Sequence, residues 1–163
     1  TVRRGDAVTT WPTGRSSVVK QIVTYDGELA SAHAGQSVTL TLEDEIDISR
    51  GDMITVGDVT VAQRFRADVV WMDERPLDPN RMYVLKHTTR TVTAEVDRAM
   101  TLNQIGSLTI TTAKPVMIDC YVDNRGTGSF ILIDPATNFT AGAGMIAEVL
   151  PGQTGSRSVR SSA

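Results

Sequence analysis

The sequence predicts an all-β protein built as two small modules, and three observations carry that prediction. Thr, Val and Ile supply 49 of the 163 residues, and β-branched side chains lose rotamer freedom in a helix but fit a pleated sheet. Apolar and polar residues alternate with a period of two along several stretches, the signature of half-buried strands. Turn-forming residues break these stretches at short intervals, the spacing of a barrel or sandwich.

In chain order, Val2 precedes a turn at Arg3-Arg4-Gly5-Asp6 that leads into a strand from Ala7 to Trp11. The hairpin arm before that turn is expected to be cut off, leaving an open edge that pairs promiscuously. Trp11-Pro12-Thr13-Gly14 and Asp26-Gly27 mark the next turns. Val38, Leu40 and Leu42 then alternate with Ser37, Thr39 and Thr41, and a run from Met53 to Val56 closes on Gly57-Asp58. Beyond it Phe65, Ala67, Val69 and Trp71 alternate with Arg64, Arg66 and Asp68. Val92, Ala94 and Val96 do so with Thr91, Thr93 and Glu95, as do Leu108 and Ile110 with Ser107, Thr109 and Thr111. Further turns are expected at Asp78-Pro79-Asn80, Asn124-Arg125-Gly126 and Asp134-Pro135. The reading is a first module over 1–58, a second over 59–147, and a small, polar tail or linker over 148–163.

Charge and cysteine content narrow the function. Residues 1–147 hold 14 basic and 18 acidic side chains, a net −4, which argues against a nucleic-acid surface. The longest apolar runs, among them Val69 to Met72 and Phe130 to Ile133, are far below the roughly 20 residues a membrane helix needs. One cysteine, Cys120, makes neither an internal disulfide nor a thiolate zinc site. With no apolar signal segment at Thr1 to Gly5, the expected location is the cytoplasm.

No catalytic constellation emerges. The chain has no Gly-Lys dipeptide and hence no phosphate loop of the Walker type. Asp123-Asn124-Arg125-Gly126 fits an Asp-x-x-Gly pattern but reads as a turn. His33 sits in a loop and His87 in a strand, so the only nucleophile–base pairing to consider is Cys120 with His87, weighed against a buried inert thiol. Glu43-Asp44-Glu45-Ile46-Asp47 offers oxygen ligands to a hard cation without the spacing of a calcium loop, and a solvated loop is the expected reading. Arg-Gly-Asp occurs at Arg4 and at Arg50, each time introducing a strand, and is read as turn chemistry. Asn138-Phe139-Thr140 is a formal glycosylation acceptor, but nothing in the sequence supplies a secretory route. The candidate contact surface is the polar, glycine-flanked loop of Asn124, Arg125 and Thr127 ahead of the apolar strand Phe130 to Ile133.

The segment Leu40-Thr41-Leu42-Glu43-Asp44-Glu45-Ile46-Asp47-Ile48-Ser49-Arg50-Gly51-Asp52-Met53-Ile54 closely resembles the second domain of the GTP-regulated subunit of bacterial sulfate adenylyltransferase (ATP sulfurylase), a relative of elongation factor Tu. Collinear similarity runs upstream through Pro12-Thr13-Gly14-Arg15-Ser16-Ser17 and Tyr25-Asp26-Gly27-Glu28-Leu29. Downstream it continues through Leu102-Asn103-Gln104-Ile105-Gly106 and Asp123 to Asp134, as far as Ile146. The resemblance implies two tandem β-barrels, like domains 2 and 3 of elongation factor Tu, that hold neither a catalytic nor a cofactor site. It implies GTP and Mg²⁺ in a G domain not contained here. The implied partners are that G domain, a small catalytic subunit that forms adenylyl sulfate and pyrophosphate from ATP and sulfate, and, in fused versions, an adenylyl-sulfate kinase. The alternative is an RNA- or protein-binding module of a translation-factor-like GTPase. Between Val92 and Leu102 the chain is shorter than the family pattern, by a deleted loop or by residues missing from the sequence. Two barrels of this size bury little surface each, and the first alone is expected to behave poorly.

Overall fold

The computed structural model describes residues 1–151, and these form two compact units, Thr1–Val59 and a second beginning at Thr60. Thirteen strands and no helix occur among the described residues.

In the first unit β1 (Val2–Arg3) pairs antiparallel with β5 (Ser31–Ala32). β2 (Ala7–Trp11) lies between β3 (Arg15–Thr24) and β7 (Met53–Thr55). The ten-residue β3 is shared: its first half pairs with β2, and its second half pairs with β4 (Gly27–Leu29) and β6 (Thr39–Leu42). The path β4-β3-β2-β7 does not close on itself, so this unit is a curled, open sheet. Its fully buried core is four small or branched residues, Val8, Val19, Ile22 and Ala32, with Leu40, Leu42 and Ile54 among the half-buried residues packed on them.

Both Arg-Gly-Asp triplets are turns of one construction. Gly5 (φ 87°) and Gly51 (φ 96°) take the left-handed backbone that glycine tolerates without strain. In each, the following Asp carboxylate accepts a backbone N–H from three residues back: Arg3 N to Asp6 Oδ2 at 2.8 Å, Ser49 N to Asp52 Oδ2 at 2.8 Å. The Asp side chain locks the turn and starts β2 or β7.

In the second unit β8 (Val61–Trp71), β9 (Tyr83–His87), β10 (Arg90–Val96), β11 (Ile105–Met117), β12 (Ser129–Ile133) and β13 (Thr140–Val149) close an antiparallel barrel in the order β10-β11-β8-β13-β12-β9. The alternation expected from the sequence is realised along β8, where Phe65, Ala67, Val69 and Trp71 are buried and Arg64, Arg66 and Asp68 exposed. Phe65 meets Phe130 edge-on at 5.8 Å between ring centres, and Trp71 meets Tyr83 likewise at 5.7 Å. β11 passes through Pro115, which has no N–H to donate, by means of a bulge between Thr111 and Val116. The buried Thr112 hydroxyl spans that bulge to the Lys114 carbonyl at 2.8 Å.

One reading changes. The second module extends beyond 147: Glu148 and Val149 belong to β13, Glu148 forms an ion pair with Arg66 at 2.6 Å, and Leu150 N donates to Arg64 O. A register shift between Ile146 and Glu148 breaks the alternation, which is why the strand's end looked like tail. The remainder of the expected tail, 152–163, lies outside the described residues. In the short connection after β10, Met100 is buried and pairs in an isolated antiparallel bridge with the buried Leu77.

Candidate partner-contact loop

Residues 118–128 join β11 to β12 at the end of the barrel where β8 begins and β13 ends. Backbone bonds lace this loop onto the barrel: Ile118 N to Thr60 O, Tyr121 N to Ile146 O at 2.8 Å, and Ile146 N to Gly128 O at 2.7 Å. A loop tied at both ends to one strand presents its tip with little freedom.

The three residues expected there do different jobs. Thr127 is a fastener: its hydroxyl donates to the Asp119 carboxylate, and its carbonyl accepts from Asp119 N and from His87 Nε2 at 2.8 Å. Asn124 turns its side chain onto the loop itself, with Oδ1 accepting Gly126 N at 3.0 Å. Arg125 faces outward, its guanidinium 5.9 Å from the centre of the Tyr121 ring, an arrangement worth about 0.5–1 kcal/mol at an exposed site. Sequence reasoning missed Val122, which is 88% exposed at the tip. Its only signal was a lone apolar residue between Tyr121 and Asp123, where turn chemistry asks for none. The loop therefore offers a rigid tip with one apolar and one cationic side chain. Replacing Thr127 by Val keeps its shape but orphans Asp119. We expect a loss of about 1–2 kcal/mol with faster amide exchange across 119–128, checked by urea unfolding and hydrogen exchange.

The same geometry bears on the pairing of Cys120 with His87. His87, 2% exposed, commits Nε2 as a donor to the Thr127 carbonyl, and no hydrogen bond joins it to the half-buried Cys120 among the described residues. His33 stands exposed in the first unit with Nδ1 3.0 Å from the Thr1 hydroxyl. No three of His, Cys, Asp and Glu gather as a metal would require among the described residues.

At the barrel's opposite end lies a buried polar network that the sequence did not reveal. The Asp134 side chain, 3% exposed, accepts Ala136 N at 2.8 Å and Arg81 Nη2 at 3.0 Å, with Arg75 Nη1 at 3.8 Å. The Ala136 N–H, opposed by burial and aided by the Arg81 and Arg75 charges, holds the carboxyl below the usual aspartate range. Trp71 Nε1 donates to Arg75 O at 2.7 Å and Asp78 N to the Tyr83 hydroxyl at 2.9 Å, so the network clamps the loops to the core aromatics.

Comparison with known proteins agrees with this architecture. The chain is 44% identical over 167 positions to sulfate adenylyltransferase subunit 1 of Teredinibacter turnerae, covering 91% of this chain, and 47% identical over 163 positions to that of Shewanella woodyi. The chain is similar to sulfate adenylyltransferase subunit 1 proteins along about nine-tenths of its length. It spans about a third of those relatives' length (36% and 35%), and 25% of a bifunctional enzyme NodQ of Rhizobium meliloti to which it is 42% identical. Residues 93–147 match the GTP-eEF1A C-terminal domain-like family. The fold is shared with Sup35 complexed with GDP, at a TM-score of 0.80 and 18% identity over 92% of this chain and 42% of that one. The 167 aligned positions exceed the residues that 91% of this chain contains, so the Teredinibacter protein carries insertions relative to it.

Proposed function

We propose that this chain is the non-catalytic β-barrel portion of the GTPase subunit of a sulfate adenylyltransferase, acting in sulfate activation in the cytoplasm. Its 44–47% identity to subunit 1 proteins along nine-tenths of its length carries the reading. GTP and Mg²⁺ belong to a G domain outside these residues. ATP and sulfate react on a small catalytic subunit, and in fused relatives an adenylyl-sulfate kinase completes the polypeptide. The barrel contributes a rigid frame, and the loop tip of Val122 and Arg125, braced by Asn124 and Thr127, is the contact through which the frame engages a neighbouring domain or the catalytic subunit. Among the described residues no helix is long and apolar enough to cross a membrane.

Co-expression of the tagged chain with the small catalytic subunit tests this reading. Co-purification is expected, and Val122→Glu with Arg125→Glu should weaken capture by about tenfold while the unfolding midpoint stays put, since both side chains are exposed. Filter binding at low salt addresses the rival: salt-sensitive affinity for RNA, with no capture of the subunit, would favour a nucleic-acid module instead.

A further inference from the structure

We propose that the groove formed by β6 and the acidic segment after it is a docking site for an extended protein segment in which basic and apolar residues alternate. The groove is shallow and open to solvent, with a volume of about 550 Å³, and its apolar lining is Leu40, Leu42, Ile46 and Ile48. Leu40, Leu42 and Ile46 are half-buried and Ile48 is 38% exposed, so the floor remains in contact with water.

Charge complementarity defines the occupant. Glu43, Asp44, Glu45 and Asp47 are all exposed, and none has a Lys or Arg within ion-pair distance among the described residues. Asp44 is fixed in place by Ser17, whose hydroxyl donates to Oδ2 at 2.8 Å and accepts Asp44 N at 3.1 Å. Four like charges within five residues repel one another, and cationic side chains laid beside them relieve that repulsion. A bare cation is not the fit, because no carboxylates converge here as a metal requires.

The backbone indicates how the occupant lies. β6 pairs only with β3, and residues 45–48 make no backbone hydrogen bond among the described residues. A strand laid along this edge supplies the missing N–H and C=O partners. Its side chains point alternately to opposite faces, apolar ones onto the Leu40–Ile48 floor and basic ones toward the carboxylate rim.

The probe is a fluorescein-labelled peptide of about nine residues alternating Lys and Val, titrated by anisotropy into the whole chain. Saturable binding is expected, weakened about tenfold by Glu45→Lys with Asp47→Lys, two exposed positions whose reversal leaves the fold intact. A similar loss is expected when alternate peptide nitrogens are methylated, and no binding when Glu replaces Lys. Absence of saturable binding, indifference to the charge reversal or to methylation, or full displacement by spermine at equal charge would each overturn the proposal.

Discussion

Replacing Gly128 with alanine is expected to destabilise the second barrel by about 3 kcal/mol or more. A Cβ there would lie 2.4 Å from Tyr121 Cα and 2.6 Å from both Tyr121 N and Asn124 O. All three are backbone atoms of a loop already bonded to Ile146, so none yields without breaking the lacing that holds the tip. Urea unfolding in a Trp11→Phe background, where Trp71 alone reports, should show a lower midpoint with an unchanged slope. The displaced tip should also lose the catalytic subunit in the capture assay. Gly126→Ala is the internal control: its Cβ would meet nothing closer than Asn124 Oδ1 at 3.5 Å, and a change within about 0.5 kcal/mol is expected. Equal effects at the two glycines would contradict the packing described.

The second large effect is at Asp134. Asp134→Asn keeps the shape but gives up the charge that Arg81 and Arg75 face. The two arginines remain partly in water, which limits the cost to about 2 kcal/mol. The pH dependence follows from the direction of the shift. A carboxyl held below its unfolded value stabilises the fold fully above the unfolded aspartate pKa of about 3.9, and that stabilisation is lost as the pH falls through the folded value. The gap between wild type and variant should be widest at neutral pH and narrow progressively in acid, as read from urea midpoints. A gap independent of pH would mean that the carboxylate charge is not what the arginines stabilise.

These two sites mark where the sequence was legible and where it was not. The inward rows of β8, β10 and β11 were readable because alternation is a local signal, and the same four residues that alternate in β8 line the core. Turn chemistry also worked locally, as Gly5 and Gly51 show. β13 escaped notice because its start reads Ala-Gly-Ala-Gly, which looks like a loop. Those glycines are small because a Cβ at Gly142 would lie 3.0 Å from the Trp71 ring and one at Gly144 would lie 2.2 Å from that of Phe130. The Asp134 network was invisible because it joins side chains 53 residues apart, Arg81 and Asp134, through barrel closure alone. In the loop, Asn124, Arg125 and Thr127 were found together as a polar turn, but which of them faces outward depends on Asp119 and His87, set by packing.

On the proposed function, this stretch of chain binds and positions while the chemistry happens elsewhere. The decisive measurement is pyrophosphate release by the purified chain supplied with ATP, sulfate and GTP. Release no faster than the protein-free background is expected, unchanged by Cys120→Ser or His87→Gln. Saturable release that either substitution abolishes would place a reactive centre inside these two units and overturn that assignment.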